Sequence, residues 1–545
     1  MRRLMNMRKI YIHGVLLLVA IAISFCDATA SAPRLVVNIV VGSMRAEDME
    51  RYADNFVSGG FKRLYDGGVV CDDAYYDYAH TSTPAGLATF ATGAQPAVHG
   101  VIGTSWWNHV DSSVVSLIAD SKSHPVPFST GAISCSPHRL TAPTLGDMML
   151  YADSRSKQVT IAVDPLSAIT LNGKAGVAYW VEKNKTNWTT STAYLNAIPA
   201  WVERYNSEGG NSLYRLGRWE PIGDVKSYHN SEVAVVEGIR GRATKLITDI
   251  DLKHGDTPYE HMCYTPAGNT MLLKFAAQAI AQEGLGRDEV PDIINISLDP
   301  ARYIAENYGP ESIEYEDMLY RLDADIAEFL IYTYAQVGNA DDVVVVLTSA
   351  HGTAPSYNPV GGAERERFNH RQMEVIVNAF LGARYGSDTY VLGYANNAIY
   401  LNHTVLHAKR LDIATIREEV AVFILQLRGV ATAISATSLR NTGFGDGRQH
   451  LMQQSFHATR SGDVIIDFMP GWMVESRDYR STSHAGYNYD RSVPLVICGA
   501  ALAPQHIGRG VSMVEVAPTL SCILGITQPW ASEARPMIEV VEGDR

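Results

Sequence analysis

Residues 81–100 read TSTPAGLATFATGAQPAVHG, a Thr- and Gly-rich segment whose composition suits an active site. Thr83 stands before a proline and an apolar helical pattern, which places its hydroxyl at a predicted helix N-terminus. A threonine hydroxyl is a nucleophile at neutral pH only when a base or a metal ion activates it. Without such a partner, a threonine in this position is most often a cap or turn residue. The chemistry of Thr83 therefore depends on what the fold brings beside it.

Continuous β-branched runs predict strands that are buried on both faces, as in a parallel sheet covered by helices. These runs cover residues 35–41, 292–298, 342–349 and 493–499. Apolar residues at helical spacing cover residues 270–284, 316–338 and 415–430. The alternation predicts an α/β fold with a central, mostly parallel sheet sandwiched by helices. Ligands bind beyond the carboxyl ends of such strands, which draws attention to Gly42, Asp299–Glu306 and Ala350–His351.

The composition is that of a globular protein: 545 residues, 46% hydrophobic and 19% charged. No internal repeat and no long linker divides the chain, so we expect a single domain over residues 31–545. An aromatic, polar segment around 177–206 is expected to be an insertion, and the segment around 355–460 is expected to be irregular. The net charge of −13 repels phosphate backbones, so nucleic acid is not an expected partner.

Residues 1–30 have the pattern of a secretory signal peptide. A basic start precedes the apolar stretch GVLLLVAIAISF, which is too short to span a bilayer, and small residues follow at Ala28–Ala30. We expect cleavage near Ala30, export to the periplasm or the exterior, and no transmembrane segment in the mature chain.

Five cysteines remain after the predicted cleavage: Cys71, Cys135, Cys263, Cys498 and Cys522. Because the number is odd, at least one is unpaired within the chain. A disulfide between two of them is compatible with export, but the sequence does not say which two would pair. Cys498 and Cys522 lie in apolar runs and are expected in the core.

Several segments, in this order, carry a resemblance to a known family. They are LVVNIVVGSMR, TPAGLATFATGAQPAVHGVIGTSWWN, YTPAGNTMLLKFA, NYGPESIEYEDMLYRLDADIAEFL, LTSAHG, RSGDVIIDFMPGW, GYNYDRSVPLVICGA and VEVAPTLSCILGI. Over essentially the whole mature chain the protein resembles the secreted, Thr-nucleophile alkaline phosphatases of the alkaline phosphatase superfamily, relatives of the nucleotide pyrophosphatases/phosphodiesterases. The resemblance implies two-zinc phosphoryl transfer, in which Asp and His ligands hold the metal ions and a threonine attacks phosphorus.

The resemblance places Thr83 at the nucleophile, but most of the surrounding positions carry other residue types. Thr104 stands where the family has a phosphate-binding Asn. Asp164 and Leu166 stand where it has a Lys and an Arg, so Asp164 puts a negative charge where phosphate should bind.

The implied metal ligands are also largely replaced. Gly42, Arg302 and Ala350 stand at Asp positions, and Leu87 and Glu306 stand at His positions. His351 remains, and the last His falls on Ser483, or on His484 after a one-residue shift. Glu306, His351 and His484 are thus the residual candidate metal ligands, to which Asp299 would add only if the backbone moved.

Arg302 would place a guanidinium where a cation belongs, and the i,i+4 spacing predicts an ion pair between Arg302 and Glu306. Asp299 is expected to accept a hydrogen bond from a backbone amide, and His351 to be a hydrogen-bonded structural histidine. We expect no cofactor, or zinc if a metal is retained.

The sequence therefore predicts an exported pseudophosphatase in which Thr83 is a relic and which acts by binding or in envelope assembly. One alternative is an active metal-dependent phosphoric ester hydrolase, a phosphomonoesterase or phosphodiesterase, using Thr83 with a rearranged metal site at Glu306 and His484. Another is a scaffold of the cell envelope that binds a protein partner through the 177–206 segment.

Overall fold

The computed structural model describes residues 32–209, 219–230, 234–236, 239–241, 258–356, 366–474, 479–499 and 502–542. The predicted signal peptide and its cleavage position near Ala30 lie outside these ranges. Within them, no helix combines the length and the apolar character that spanning a bilayer requires.

The strands share short lengths of two to eight residues. In chain order they are β1 (Leu35–Val41), β2 (Val69–Tyr75), β3 (Ser105–Trp107), β4 (Val114–Ser116), β5 (Pro125–Val126), β6 (Gln158–Ile161), β7 (Val177–Val181), β8 (Trp188–Ser191), β9 (Ala234–Val236), β10 (Ile239–Gly241), β11 (Asp292–Leu298), β12 (Val343–Thr348), β13 (Glu366–Phe368), β14 (Val391–Ala395), β15 (Ala398–Leu401), β16 (Val430–Ser435), β17 (Val464–Phe468), β18 (Trp472–Val474), β19 (Leu495–Gly499) and β20 (Gln505–Ser512).

The α-helices alternate with these strands. In chain order they are α1 (Asp48–Arg51), α2 (Phe61–Gly67), α3 (Thr83–Thr92), α4 (Pro96–His99), α5 (Leu145–Ala152), α6 (Pro165–Asn172), α7 (Ala200–Ser207), α8 (Pro258–Cys263), α9 (Ala267–Glu283), α10 (Asp299–Tyr308), α11 (Ile313–Val337), α12 (His370–Tyr385), α13 (His403–Ala408), α14 (Ile413–Ile424), α15 (Ala436–Asn441), α16 (Gly447–Ser455), α17 (Asn488–Arg491), α18 (Val516–Leu524) and α19 (Ile538–Val541).

The main sheet has ten strands in the order β20-β2-β19-β12-β1-β11-β6-β7-β8-β5. β1 pairs parallel with both β11 and β12, with Val41 opposite Leu298 and Val40 opposite Thr348. All residues of these three strands are buried, as their continuous β-branched sequences predict. The sheet is mostly parallel, since β12, β1, β11, β6 and β7 form a parallel block and β2 pairs parallel with β20. β19 runs antiparallel to β12 and β2, and β8 runs antiparallel to β7 and β5. The predicted fold class is confirmed, and the carboxyl ends of β1, β11 and β12 meet at one end of the sheet.

Helices cover both faces of this sheet. The odd-numbered residues of β1 pack with α9, α10 and α11 in one hydrophobic cluster. Val36 and Val40 face a second cluster with α3, α5 and α18. The three helical patterns predicted from the sequence correspond to α9, α11 and α14. The apolar residues of α9 and α11 pack on the main sheet, and those of α14 pack on the second sheet described next.

A second, antiparallel sheet with the order β14-β15-β17-β16 has three of its strands, β14, β15 and β16, in the range around 355–460 that was expected to be irregular, and β17 follows directly after it. It packs against α12 and α14 through its own hydrophobic cluster. We call residues 366–474, which hold this sheet and its helices, the cap. Its first hairpin turns at Asn396 and Asn397, both with positive φ (50° and 53°), a backbone conformation that asparagine tolerates in tight hairpin turns. The short strands and the polar turn residues explain why the sequence pattern indicated an irregular segment.

The range 177–206 also contains regular structure. β7 pairs parallel with β6, and β8 pairs antiparallel with β7, so the segment extends the main sheet before α7 begins. Its aromatic residues pack inward. Trp188, for example, stacks on Phe275 of α9 with ring centroids 3.8 Å apart.

All five cysteines that the structure describes are free thiols. Cys71, Cys135 and Cys263 are buried, and Cys498 is partly buried. Cys522 is exposed, contrary to the expectation of a core position, because it lies on the outward face of α18.

Candidate functional site

The segment that opens the candidate site is the start of α3. Ser82 is its extended N-cap residue and Thr83 its first helical residue, followed by Pro84. The helix lies directly on the loop after β12, since a Cβ at Gly86 would stand 1.7 Å from the carbonyl oxygen of Ala350. This close approach brings Thr83 Oγ1 to 2.9 Å from His351 Nε2.

His351 is buried, and both of its ring nitrogens have partners. Nδ1 lies 2.6 Å from the carbonyl oxygen of Gly352, which can only accept, so Nδ1 carries the proton. Nε2 then accepts the hydroxyl proton of Thr83. Burial lowers the pKa of His351 to about 3, and the charge of Arg302 acts in the same direction. The side chain is therefore a neutral, fully hydrogen-bonded histidine, which supports the structural role expected for it.

Two positions that the resemblance assigns to polar ligands now belong to the apolar core. Leu87 is fully buried and Ala350 is 2% exposed, and both lie in the hydrophobic cluster between the main sheet and α3. No oxygen or nitrogen from these side chains can reach a metal ion beside Thr83.

The end of β1 is closed by α10. A Cβ at Gly42 would lie 2.7 Å from both Cβ and the backbone nitrogen of Arg302, and 3.0 Å from the carbonyl oxygen of Leu298. Because real Cβ atoms do not approach so closely, only glycine fits here with α10 in its present position. The Asp that the resemblance places at this position would therefore clash with α10 in its present position.

Arg302 forms the predicted ion pair with Glu306. Arg302 Nη1 lies 3.2 Å from both carboxylate oxygens, and the two side chains are 16% and 13% exposed. The guanidinium also lies 4.1 Å from the ring centroid of Tyr303. Burial opposes the charge of Arg302, but Glu306 raises the pKa of Arg302 well above the ordinary value, so the guanidinium stays charged.

Asp164 is the N-cap of α6. Its Oδ1 accepts from the backbone nitrogen of Leu166 at 2.9 Å, and its Oδ2 accepts from the Tyr303 hydroxyl at 3.3 Å. Capping by a carboxylate satisfies a backbone donor that the helix itself leaves unpaired. The residue at the family's Lys position therefore caps α6 in this protein.

Asp299, at the start of α10, accepts from backbone amides as expected. Its Oδ2 lies 3.1 Å and 3.0 Å from the nitrogens of Val163 and Asp164, and Ser297 donates to Oδ1 at 3.0 Å. These bonds hold the start of α10 against the end of β6. Burial and the nearby Asp164 charge raise the pKa of Asp299 to about 6.

The raised pKa of Asp299 predicts a pH dependence of stability. Between about pH 4 and pH 6 the folded state binds a proton at Asp299 that the unfolded state has lost, so the free energy of unfolding falls as pH rises through this window. The total change is about 3 kcal/mol for this group. In Asp299→Asn, the amide oxygen still accepts from both backbone nitrogens. The difference in unfolding free energy between variant and wild type, measured by urea denaturation at each pH, should grow by this amount. An equal slope for both proteins contradicts the prediction.

A cavity of about 760 Å³ lies between the carboxyl end of the main sheet and the cap. Thr104, Glu306 and His484 line the cavity, and Thr104 and His484 are exposed. Thr83 and His351 are not in the lining, but Ser82, the residue before Thr83, is. Asp164 lies outside the lining. Sequence reasoning did not identify the cap residues of the lining, which include Tyr394, Asn396, Asn397 and Trp472, or Tyr479 beyond the cap. The sequence signal that could have identified the first three of them is the segment YANN at residues 394–397, in which an aromatic residue stands close to two asparagines.

The side chains at this cavity do not fit two zinc ions. Zinc sites need three or four nitrogen, sulfur or carboxylate ligands around each ion. Here the nitrogens of His351 are both engaged, Glu306 is paired with Arg302, and Gly42, Leu87 and Ala350 offer no ligand atom. His484, His370 and Asp490 also line the cavity, but each is engaged: His484 with the Thr81 backbone, His370 with Glu374, and Asp490 with the backbone nitrogen of Ala485.

The sheet order, the helix that starts at Thr83 and the cavity at the strand ends define an α/β protein of the alkaline phosphatase superfamily. A family model described as Type I phosphodiesterase / nucleotide pyrophosphatase matches residues 36–489. The chain belongs to this family.

Full-length relatives carry the names of phosphatases and of one ATPase. The chain is 29% identical over 523 residues to a calcium-transporting ATPase of Myroides odoratus, covering 94% of this chain and 95% of the relative. It is 27% identical over 526 residues to alkaline phosphatase PafA of Elizabethkingia meningoseptica, covering 93% and 94%. It is 26% identical over 553 residues to alkaline phosphatase PhoV of Synechococcus elongatus, covering 97% and 99%.

Solved structures agree with this relationship. The crystal structure of wild-type PafA has a TM-score of 0.86 at 26% identity and covers 94% of this chain and 100% of that one. A PafA variant altered at a Thr, an Asn, a Lys and an Arg has a TM-score of 0.85. These are the residue types that the resemblance aligns with Thr83, Thr104, Asp164 and Leu166. Phosphonoacetate hydrolase from Sinorhizobium meliloti, at 15% identity and a TM-score of 0.54, shares the fold.

Proposed function

We propose that the protein is an exported, catalytically degenerate member of the alkaline phosphatase superfamily that acts by binding. The observation that carries the proposal is the Arg302–Glu306 ion pair packed against Gly42. It puts a fixed, internally neutralised cation close enough to His351, the partner of Thr83, to lower the pKa of that histidine, in place of an exchangeable metal ion. The basic amino-terminal pattern of residues 1–30 supports export.

Without a metal ion, the remaining groups are poorly suited to phosphoryl transfer. His351 is a weak base, because burial lowers its pKa to about 3. Arg302 opposes the formation of an imidazolium there, and Asp164 contributes negative charge at a family Lys position. Phosphoryl transfer depends on stabilising charge on the transferred group, and these changes remove that stabilisation.

The cavity supports a binding role. It is open to solvent, lies at the strand ends where ligands of α/β sheets bind, and is lined by aromatic, amide, hydroxyl and charged side chains from the cap and from the loops and helix α10 beyond the strands. The partner we propose is a small molecule or a protein of the cell envelope. A scaffold that binds through 177–206 is less favoured, since Trp188 and Tyr179 of this segment are buried.

The alternative is a phosphoric ester hydrolase that binds one metal ion at Glu306 and His484 and attacks with Thr83. It requires Glu306 to leave Arg302, which would strand a guanidinium that is 16% exposed. Breaking a buried pair in this way is strongly unfavourable.

The experiment is a hydrolysis assay on the purified protein with p-nitrophenyl phosphate and bis(p-nitrophenyl) phosphate, with and without added zinc. We expect no zinc-dependent turnover above buffer and the same result for Thr83→Ala, with PafA as the positive control. Zinc-dependent turnover that disappears in Thr83→Ala would overturn the proposal in favour of the hydrolase.

A further inference from the structure

A cluster of two histidines and a carboxylate lies away from the cavity, where the turn after β3 meets the cap. His109 belongs to that turn, His403 is the first residue of α13, and Asp463 directly precedes β17. Their candidate ligand atoms all lie within 4.8 Å of one another. Asp463 is fully buried, and the two histidine side chains are 18% and 15% exposed.

The hydrogen bonds of His109 determine which of its nitrogens is available. Nε2 lies 3.1 Å from the carbonyl oxygen of Ser461, so Nε2 carries the proton. Nδ1 is then a bare lone pair. It is buried, has no hydrogen-bond partner among the described residues, and faces Asp463 Oδ2 at 3.7 Å. Arg417 already neutralises the carboxylate through Oδ1, so the His109 lone pair is the group without a partner, and a cation between Nδ1 and Oδ2 would satisfy it.

The distance distinguishes the kind of cation. A proton shared between nitrogen and oxygen requires a separation of about 2.7–3.2 Å. Two ligands of one tetrahedral zinc ion, each about 2.0–2.2 Å from the metal, are separated by roughly 3.4 Å. The observed 3.7 Å is too long for the hydrogen bond and close to the span of a metal ion. His403 Nε2 lies 2.8 Å from Asp463 Oδ1 and can serve as the third ligand.

We propose that His109 Nδ1, His403 Nε2 and Asp463 Oδ2 form a zinc site that ties the β3–β4 turn to the cap. The His109 and His403 rings are stacked with centroids 4.7 Å apart and an interplanar angle of 18°. To bind, His403 therefore turns its ring and moves its ring proton from Nε2 to Nδ1, and the fourth position takes water. Imidazole and carboxylate are ligands that zinc accepts. The bond from His109 to the Ser461 carbonyl is the outer contact that metal-bound histidines usually make.

Arg417 orients the carboxylate and tempers the affinity. Its Nε and Nη2 both lie 2.7 Å from Asp463 Oδ1, while Leu401 donates its backbone N–H to Oδ2 at 2.7 Å. This differs from Arg302, which fills the space of a missing ligand, because here all three ligands are present and Arg417 contacts the oxygen that faces away from His109. Its positive charge opposes the metal, so Arg417→Gln should bind zinc more tightly.

The test uses the full-length purified protein, stripped with a chelator, dialysed against zinc and washed. Elemental analysis should find about one zinc per chain, as metal affinity requires all ligands together. His109→Gln and His403→Gln should each lose the retained zinc and the zinc-dependent rise in melting temperature. His138→Gln is the matched control, since His138 is 44% exposed beside Asp120, and should keep both.

Three outcomes overturn the inference: no zinc retained by the wild type, full retention in both histidine variants, or melting temperatures that fall in these variants while the wild type shows no response to zinc. The last result would mean that the cluster is only a hydrogen-bond network. Because melting temperature is recorded without zinc as well, a variant that folds poorly is recognised directly.

The inference does not rest on the proposed function, and the two can fail separately. Zinc that is lost in His109→Gln but kept in Glu306→Gln and His484→Gln is bound by His109, His403 and Asp463, which we call the cap site. This result leaves the proposed function intact. Zinc with the opposite pattern contradicts the proposed function and the cap site together. A metal content measured on the wild type alone would not distinguish these cases.

Discussion

Replacing Glu306 by alanine is expected to lower the free energy of unfolding by about 3–5 kcal/mol, the usual cost of removing one partner from a buried ion pair. Arg302 would keep its charge at a position that is only 16% exposed, with no carboxylate to neutralise it. Its Nε already lacks a hydrogen-bond partner among the described residues. Urea denaturation followed by circular dichroism measures the loss.

The double variant Arg302→Met/Glu306→Leu tests whether the loss comes from the stranded charge. Apolar residues of similar size can replace a buried pair at little or no cost, so most of the stability should return. Arg155→Ala is the control for an exposed pair, because Arg155 is 75% exposed, and should change the free energy by less than about 0.5 kcal/mol. A Glu306→Ala variant as stable as Arg155→Ala would mean that solvent screens the pair and that Arg302 does not hold the site together.

The central strands could be predicted from the sequence because a strand that is buried on both faces has apolar residues at nearly every position. Residues 35–41 and 292–298 are continuous apolar runs, and β1 and β11 have these bounds. The Arg302–Glu306 pair could be predicted for a similar reason, since residues four apart on a helix are neighbours whatever the tertiary fold.

The cap and the closure of the site could not be predicted in this way. The strands of the β14–β15 hairpin are short, and two asparagines with positive φ join them, so the composition is that of a loop. The contact between Gly42 and Arg302 depends on how deeply α10 sits against β1, which only tertiary packing determines. The cluster of His109, His403 and Asp463 has no local spacing at all, because each residue comes from a different element.

Replacing Gly42 by alanine is expected to lower the free energy of unfolding by about 1–3 kcal/mol or more, the range for forcing extra atoms into a packed core. The new Cβ would lie 2.7 Å from Cβ and from the backbone nitrogen of Arg302, so α10 must shift. Gly443→Ala is the matched control. Gly443 is exposed, a Cβ there meets nothing within 4 Å, and the change should stay within about 0.5 kcal/mol. Thermal and urea denaturation of both variants compare the two glycines.

The same geometry predicts that restoring ligand types will not restore the metal site. In Gly42→Asp/Arg302→Asp both carboxylates of the family pattern return, but the clash at residue 42 involves the backbone nitrogen and Cβ of residue 302, which every non-glycine residue keeps. The double variant should therefore be less stable than the wild type and bind no zinc at the cavity, measured in a His109→Gln background to exclude the cap site. A stable double variant that binds zinc and hydrolyses p-nitrophenyl phosphate would show that α10 moves easily and would contradict the prediction. The expected result would instead mean that the packing of α10 on β1 prevents a metal site at the cavity, and that Gly42 and the Arg302–Glu306 pair depend on this same packing.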